Sequence, residues 1–321
     1  MKTPLTARRS VLAGFAVGGL ALAASSTSTA LAQSSSAAAP ALAVTIDDFN
    51  MADGPLLSGE RRHAAILAAL DRHRVKAAGF PAGRFVDSPD GTRRLAAWAE
   101  QGHLVCNHTY THPNYNSRAD PAAMMADVLR AEPLLMRHRT FAKLFRFPYL
   151  AEGRTAEVRD GMRALLAEHD YRNGYVTTDT SDWYVSGRLA ERVKHEPNAD
   201  LAPYRRYYLA HLLDRAIFYD RLARDVLGNR TVPHTILLHH NLASALFLDD
   251  ALAMFRDRGW QLIDAEPAFT DPVFLRQPLI APAGNSLVWQ LAKERGGFEG
   301  RLRNPGEDDV YEKPAMDMLG L

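Results

Sequence analysis

The chain has a single cysteine, Cys106, which excludes an intramolecular disulfide and leaves stability to the core and to any bound metal. It also lacks an excess of either charge. Thirty-eight Lys and Arg against 37 Asp and Glu give a net charge of +1, so no single-sign field points to nucleic acid or an anionic membrane, and neutral partners are favoured. No internal repeat is present. Glu is missing between His108 and His112, which excludes the His-Glu-x-x-His pattern of zinc proteases. What the chain does have is apolar residues, 47% against 23% charged, enough to bury a large core in one main domain.

Only one apolar run is long, Val11 to Ala24. It follows Lys2, Arg8 and Arg9 and precedes Ala30-Leu31-Ala32, the order of a secretory signal spanning residues 1–32. The Arg8-Arg9 pair is twin-arginine-like, with Val11 where Phe is usual. The run is close to the ~17-residue lower limit for a span and is rich in Gly and Ala, so it reads as a cleaved signal rather than an anchor. The expectation is export by the twin-arginine machinery to the periplasm or beyond, without membrane insertion after cleavage. Residues 33–40, rich in Ser and Ala, read as a disordered lead-in.

From Ala41 onward, apolar runs alternate with helical patterns. Strands are expected at Leu42–Ile46, Val75–Phe80, His103–Cys106, Lys143–Phe147, Gly174–Thr178, Thr235–Leu238 and Gln261–Asp264. Helices are expected at Glu60–Arg74, Gly91–Gln101, Pro121–His138, Thr155–His169, Pro203–Leu227 and Leu246–Arg258. This alternation predicts an α/β fold, a distorted (β/α) barrel of about seven strands, over residues 41–278. Residues 279–321, with a helix at Asn285–Lys293, look like an extension of unknown role.

The polar residues that interrupt or end these apolar runs carry the chemistry. Asp47 and Asp48 end the first strand, where alternation sends one carboxylate to a metal and leaves the other free as an acid/base. His108 and His112, at i and i+4, would share one side of a helical turn and reach one divalent ion. With an Asp they make a three-ligand site of the open, catalytic kind. Such a donor set accepts zinc, cobalt, nickel or manganese. Arg146, inside Leu144-Phe145-Arg146-Phe147-Pro148, is expected to be buried and paired. Asp182 competes with Asp179 as a turn or cap residue, and His239 with His240 for the single position that strand alternation turns into a site. Cys106, beside Leu104 and Val105, reads as a buried small hydrophobe.

Thr45-Ile46-Asp47-Asp48, His108-Thr109-Tyr110-Thr111-His112, Arg146-Phe147-Pro148-Tyr149, Asp182-Trp183 and Leu237-Leu238-His239, in that order, resemble the five motifs of the polysaccharide deacetylase family. This family is also called the NodB-homology or carbohydrate esterase family 4 group. The resemblance covers about Ala41 to Asp264 and implies a NodB-like domain that removes N-acetyl groups from a chitin-like or peptidoglycan-like glycan. It implies Asp47 as general base, Asp48, His108 and His112 as ligands of one divalent metal, and His239 as general acid. Arg146 would orient Asp47, and Asp182 would orient His239 and favour its protonated form. Tyr149 would offer its backbone N–H to an oxyanion, Trp183 would wall the site and Leu237 would line the acetyl pocket. The chain departs from the family's Asp-Asp-Gly-Pro by inserting Phe49-Asn50-Met51-Ala52 before Asp53-Gly54-Pro55. This predicts a reshaped loop at the mouth of the site and keeps open a non-sugar amide or cyclic imide as substrate. A non-catalytic metal- or glycan-binding protein is the reading from another class. Tyr204, Tyr207, Tyr208 and Tyr219 could stack on sugar rings, or simply be core.

Overall fold

The computed structural model describes residues 39–303, 308 and 310–321; the expected signal and residues 33–38 lie outside this range. The first half contains β1 (Ala41–Asp48), α1 (Gly59–Arg72), β2 (Ala78–Pro81), α2 (Gly83–Val86), α3 (Pro89–Glu100), β3 (Leu104–Asn107), α4 (Tyr115–Arg118), α5 (Pro121–Leu135) and β4 (Phe141–Phe145). Next come β5 (Ala151–Gly153), α6 (Ala156–Glu168), β6 (Arg172–Asn173), α7 (Asp182–His195) and α8 (Ala202–Val226). The remainder is β7 (Pro233–His239), α9 (Leu242–Asp257), β8 (Gln261–Leu262), α10 (Ala265–Ala268), β9 (Ala283–Gly284), α11 (Leu287–Arg295) and α12 (Glu312–Met318).

Strand β1 reads Ala-Leu-Ala-Val-Thr-Ile-Asp-Asp and is buried along its middle, the near-continuous apolar pattern of a parallel strand covered on both faces. It lies between β2 and β7 in a parallel sheet ordered β6-β4-β3-β2-β1-β7, with β8 paired to its first residues. The segment after β6 crosses to β7: Thr177 N and Thr178 N both donate to Thr235 O, and Leu237 N donates to Thr178 O. One stretch thus touches β4 at its start and β7 at its end, which curls the sheet into the distorted barrel that the alternation predicts. The Asp47–Asp48 and His239 ends of neighbouring strands β1 and β7 emerge together at the C-terminal rim.

Local chemistry sets the helix starts. Ser58, Ser88, Asp120, Thr155, Asn241 and Ser286 each cap a helix through the side chain, and Pro89 and Pro121 occupy the first turn where no N–H is needed. Helix α7 is absent from the expected elements although Val185, Leu189 and Val193 form a buried i, i+4, i+8 stripe.

Two expectations change, and one open alternative closes. The described residues of 279–321 are no separate appendage: they belong to one compact unit with the described residues from 39 onward, Leu287, Val288 and Leu291 pack in one core cluster, and Met316 and Leu321 pack in another. Of the two readings open for the tyrosines of α8, the structure supports the core one for Tyr204, Tyr208 and Tyr219, which are buried where α8 packs on its neighbours, while half-buried Tyr207 stacks on His211. The inserted loop turns inward rather than to the mouth. Phe49, in a left-handed conformation (φ 59°), is fully buried between Trp98 and His240 and passes over Gly79, whose Cβ would lie 2.6 Å from the Phe49 ring. Arg62 donates to Asn50 O and Ala52 O, and Arg94 to Met51 O, tying the loop from below.

Phe49→Ala is therefore expected to destabilise the fold by about 3–5 kcal/mol, as for a buried aromatic that leaves a cavity. Denaturant unfolding that shows an unchanged midpoint would mean the loop is not anchored this way.

Candidate active site

Eight of the ten site residues expected from sequence open on one cavity of about 460 Å³: Asp47, Asp48, His108, His112, Tyr149, Trp183, Leu237 and His239. The other two, Arg146 and Asp182, are buried behind it, 1% and 0% exposed.

Alternation at the end of β1 separates the two carboxylates. Asp47 Oδ1 accepts from Arg146 Nη1 at 2.6 Å, while Asp48, turned by a positive φ of 72°, places Oδ1 3.0 Å from His112 Nε2 and 3.5 Å from His108 Nε2. The histidines do not share a helical turn, contrary to the i, i+4 expectation. They lie in a loop bent by left-handed residues at Thr109 (φ 67°) and His112 (φ 58°), which brings the rings to 4.9 Å. Asn107 and Asp127 shape that loop: Asn107 Oδ1 accepts from Thr109 N, and Asp127 Oδ2 accepts from Tyr110 N, Thr111 N and the Thr111 hydroxyl. Asp127 sits on α5 and carries no motif by which sequence could have found it.

The donor set fits a divalent cation. His108 Nδ1 donates to Arg146 O at 2.8 Å, so its Nε2 presents a lone pair towards Asp48. Buried Asp48 Oδ1 has no well-formed hydrogen bond, and the three donor atoms of Asp48, His108 and His112 lie within 4.8 Å of one another. Their 3.0 and 3.5 Å separations bracket the edge of about 3.3 Å of a tetrahedron with ligand bonds near 2.0–2.1 Å. Burial opposes the charge on Asp48, but the His108 and His112 rings beside it outweigh that and hold the carboxyl well below the usual range. Burial lowers His112, which favours the neutral form a ligand needs.

A second charged pair stands on the β7 side. Strand alternation turns His239 into the cavity and sends His240 to the buried side, where it contacts His63 Nδ1 through Nε2 at 3.1 Å. His239 Nδ1 meets Asp182 Oδ1 at 2.6 Å, while Asp182 Oδ2 accepts from His239 N and Asn241 Nδ2. Burial alone would lower His239. The charge and hydrogen bond of Asp182, with Asp48 and Asp47 beyond, overcome it and raise the imidazole to about 10. Asp182, not Asp179, is thus the carboxylate paired with His239. Asp179 lines the cavity instead, with burial pushing its carboxyl up to about 6 against the pull of Arg215.

On the third side Tyr149 and Leu150 are both left-handed (φ 59° and 50°), a backbone that non-glycine residues adopt only when surroundings impose it. The Tyr149 ring packs against His112 at 4.8 Å. Arg84, Phe85, Asn285 and Asp308 complete the wall, and no pattern in the sequence marked them.

Residues 35–173 match the model of the polysaccharide deacetylase family. The match covers less than half of the chain, and what the matched stretch resembles is a polysaccharide deacetylase domain. It takes in the first three sequence motifs and stops before Trp183, Leu237 and His239, which the fold brings to the same cavity, and Asp182, which lies buried behind it. The chain is 29% identical over 202 residues to a peptidoglycan-N-acetylglucosamine deacetylase of Bacillus cereus, covering 62% of this chain and 55% of that protein. It is 43% identical over 67 residues to a chitooligosaccharide deacetylase of a Bradyrhizobium species, covering 21% of this chain and 29% of that one. It therefore spans about half the length, or less, of these relatives. Among solved structures, a family 4 carbohydrate esterase from Streptomyces lividans in complex with acetate is similar over 71% of this chain and 95% of that one, at 19% identity and a TM-score of 0.47.

The wild-type chain is expected to bind one equivalent of zinc, and His112→Ala to weaken it by more than the roughly 10–100-fold that changes around metal ligands cause. Titration calorimetry on the stripped protein checks this; equal affinity in the two proteins would remove His112 from the ligand set.

Proposed function

We propose that this chain is an exported, metal-dependent hydrolase that removes N-acetyl groups from a chitin-like or peptidoglycan-like glycan. The observation that carries the reading is that two separately buttressed acid/base groups, Asp47 on Arg146 and His239 on Asp182, share one cavity with the Asp48–His108–His112 cluster. Export rests on Arg8-Arg9 and the apolar run after them. The names of the relatives support an N-acetylated glycan. The inserted loop, which would have favoured a small non-sugar amide, contributes nothing to the cavity wall.

Zinc, or another divalent ion that the same ligands accept, would be held by Asp48, His108 and His112, and would polarise the amide carbonyl and acidify the attacking water. Asp47 takes the water's proton, its carboxylate held in place by Arg146. Tyr149, Leu237 and Trp183 line the cavity, and in this reading the Tyr149 backbone N–H would donate to the developing oxyanion, Leu237 would contact the acetyl methyl and Trp183 would wall the sugar. His239, with Nδ1 held by Asp182, donates a proton from its other nitrogen to the departing amine. This matters because an amine leaves poorly unprotonated. The products are acetate and a free amino sugar.

Acetate release from N-acetylglucosamine oligomers and peptidoglycan fragments is expected with metal and not after chelation. Asp47→Asn should lower kcat about 10²–10⁴-fold while still binding metal. No release from metal-loaded wild type would overturn the proposal and leave the non-catalytic reading.

The acid pair predicts a pH effect with a definite sign. Because Asp182 raises His239, the imidazolium and its contribution to stability persist below the ordinary histidine value and are lost as pH rises through about 10. Asp182→Asn removes that support, so the alkaline limb of kcat against pH should move to lower pH. An unmoved limb would free His239 from the acid role.

A further inference from the structure

The acid pair is held from behind by residues that no motif contains. Ser181, directly before Asp182, donates its backbone N–H to His211 Nε2 on α8 at 3.0 Å. That bond requires a lone pair on Nε2 and so places the imidazole proton on Nδ1, which faces Glu312 Oε1 on α12 at 3.3 Å. Glu312 is 3% exposed although it stands only nine residues before Leu321. Its other oxygen accepts from the Ser181 hydroxyl at 3.3 Å, and Arg303 Nη2 donates to Oε1 at 2.9 Å. Burial opposes ionisation of Glu312, but the hydrogen bond from His211 and the hydrogen bond and charge of Arg303 lower its carboxyl. Ser181 occupies the N-cap position of α7 yet makes no side-chain cap there, its hydroxyl being turned to Glu312 instead.

We propose that Glu312 and His211 are positioning residues for the acid half of the site: the C-terminal helix clamps the Ser181 backbone, and through it aligns Asp182 on His239. The same C-terminal region grips the opposite wall. Gly284 pairs with Ala151 so closely that a Cβ would lie 2.0 Å from Leu150 O, and Asn285 N donates to that oxygen, bracing the left-handed Tyr149–Leu150 turn. Asn285 and Asp308 also line the cavity. The family match ends at residue 173, so the matched stretch of this chain relies on a later segment for its alignment.

The kinetic effect of this clamp rests on the deacetylase reading; the geometry does not. Three donors converge on the two carboxylate oxygens of Glu312, so Glu312→Gln turns an amide donor against one of them and should loosen the clamp without changing size. His211→Phe removes the acceptor for Ser181 N–H, whereas His211→Gln can still supply one. Glu312→Gln and His211→Phe are expected to lower kcat about 10–100-fold with KM within two-fold, and to move the alkaline limb to lower pH. His211→Gln should recover most of the loss. Folded variants with wild-type kcat and an unmoved limb would overturn the proposal, as would His211→Gln and His211→Phe behaving alike. One further reading needs neither turnover nor a folded variant: nitrogen-15 NMR of histidine-labelled wild type should show His211 protonated on Nδ1 alone. A proton on Nε2 would overturn the clamp. Wild type that releases no acetate, with the Nδ1 tautomer present, would instead reject the deacetylase reading and leave the clamp standing.

Discussion

One guanidinium organises this site. Arg146 is 1% exposed and donates to Asp47 Oδ1, Thr45 Oγ1 and Gly174 O, while its own carbonyl accepts from His108 Nδ1 and its cation lies 3.9 Å over the Phe80 ring. It thereby joins the proposed base, one proposed ligand, strand β1 and the segment that closes the barrel. Burying an ion pair gains little over apolar packing, and breaking one from a single side is strongly destabilising, because the remaining charge is left without compensation. Asp47 and Arg146 hold each other in place, and the tautomer of His108 follows from the position of Arg146.

The neighbouring histidines of β7 show how environment rather than residue type assigns a role. His239 faces Asp182 and two further carboxylates and is raised to about 10. His240, one residue on, is held well below the ordinary value, first by burial and then by His63 and Arg62. One takes part in the cavity's charge balance. The other is a packing residue beneath the inserted loop, stacked on Phe49.

Much of the barrel was legible because the apolar periods are strong and uninterrupted: the expected strands and helices fall within a few residues of those observed, except that Gly174–Thr178 forms only a single bridge at Thr178, the strand there being Arg172–Asn173. Arg146 was legible as buried because it stands inside an apolar run, and Cys106 for the same reason. The readings that failed are those in which local spacing stood in for tertiary contact. The i, i+4 spacing of His108 and His112 suggested a helical turn, yet left-handed residues shaped by Asn107 and Asp127 do the work. The loop after Asp48 looked like a mouth because insertions favour surfaces, but Phe49 gives it an apolar anchor.

Sequence alone determined the strand and helix alternation, the chemical types at the strand ends and their order, because periodicity and residue chemistry are local properties. Tertiary structure decided which of Asp179 and Asp182 meets His239, that His239 rather than His240 turns to the cavity, and that Glu312 and Gly284 pack against Ser181 and Leu150, which line it. Those choices depend on register between strands and on contacts bridging from 57 residues, for Asp182 and His239, to 131, for Ser181 and Glu312, and no local pattern encodes the distance between two side chains that meet only when the barrel closes.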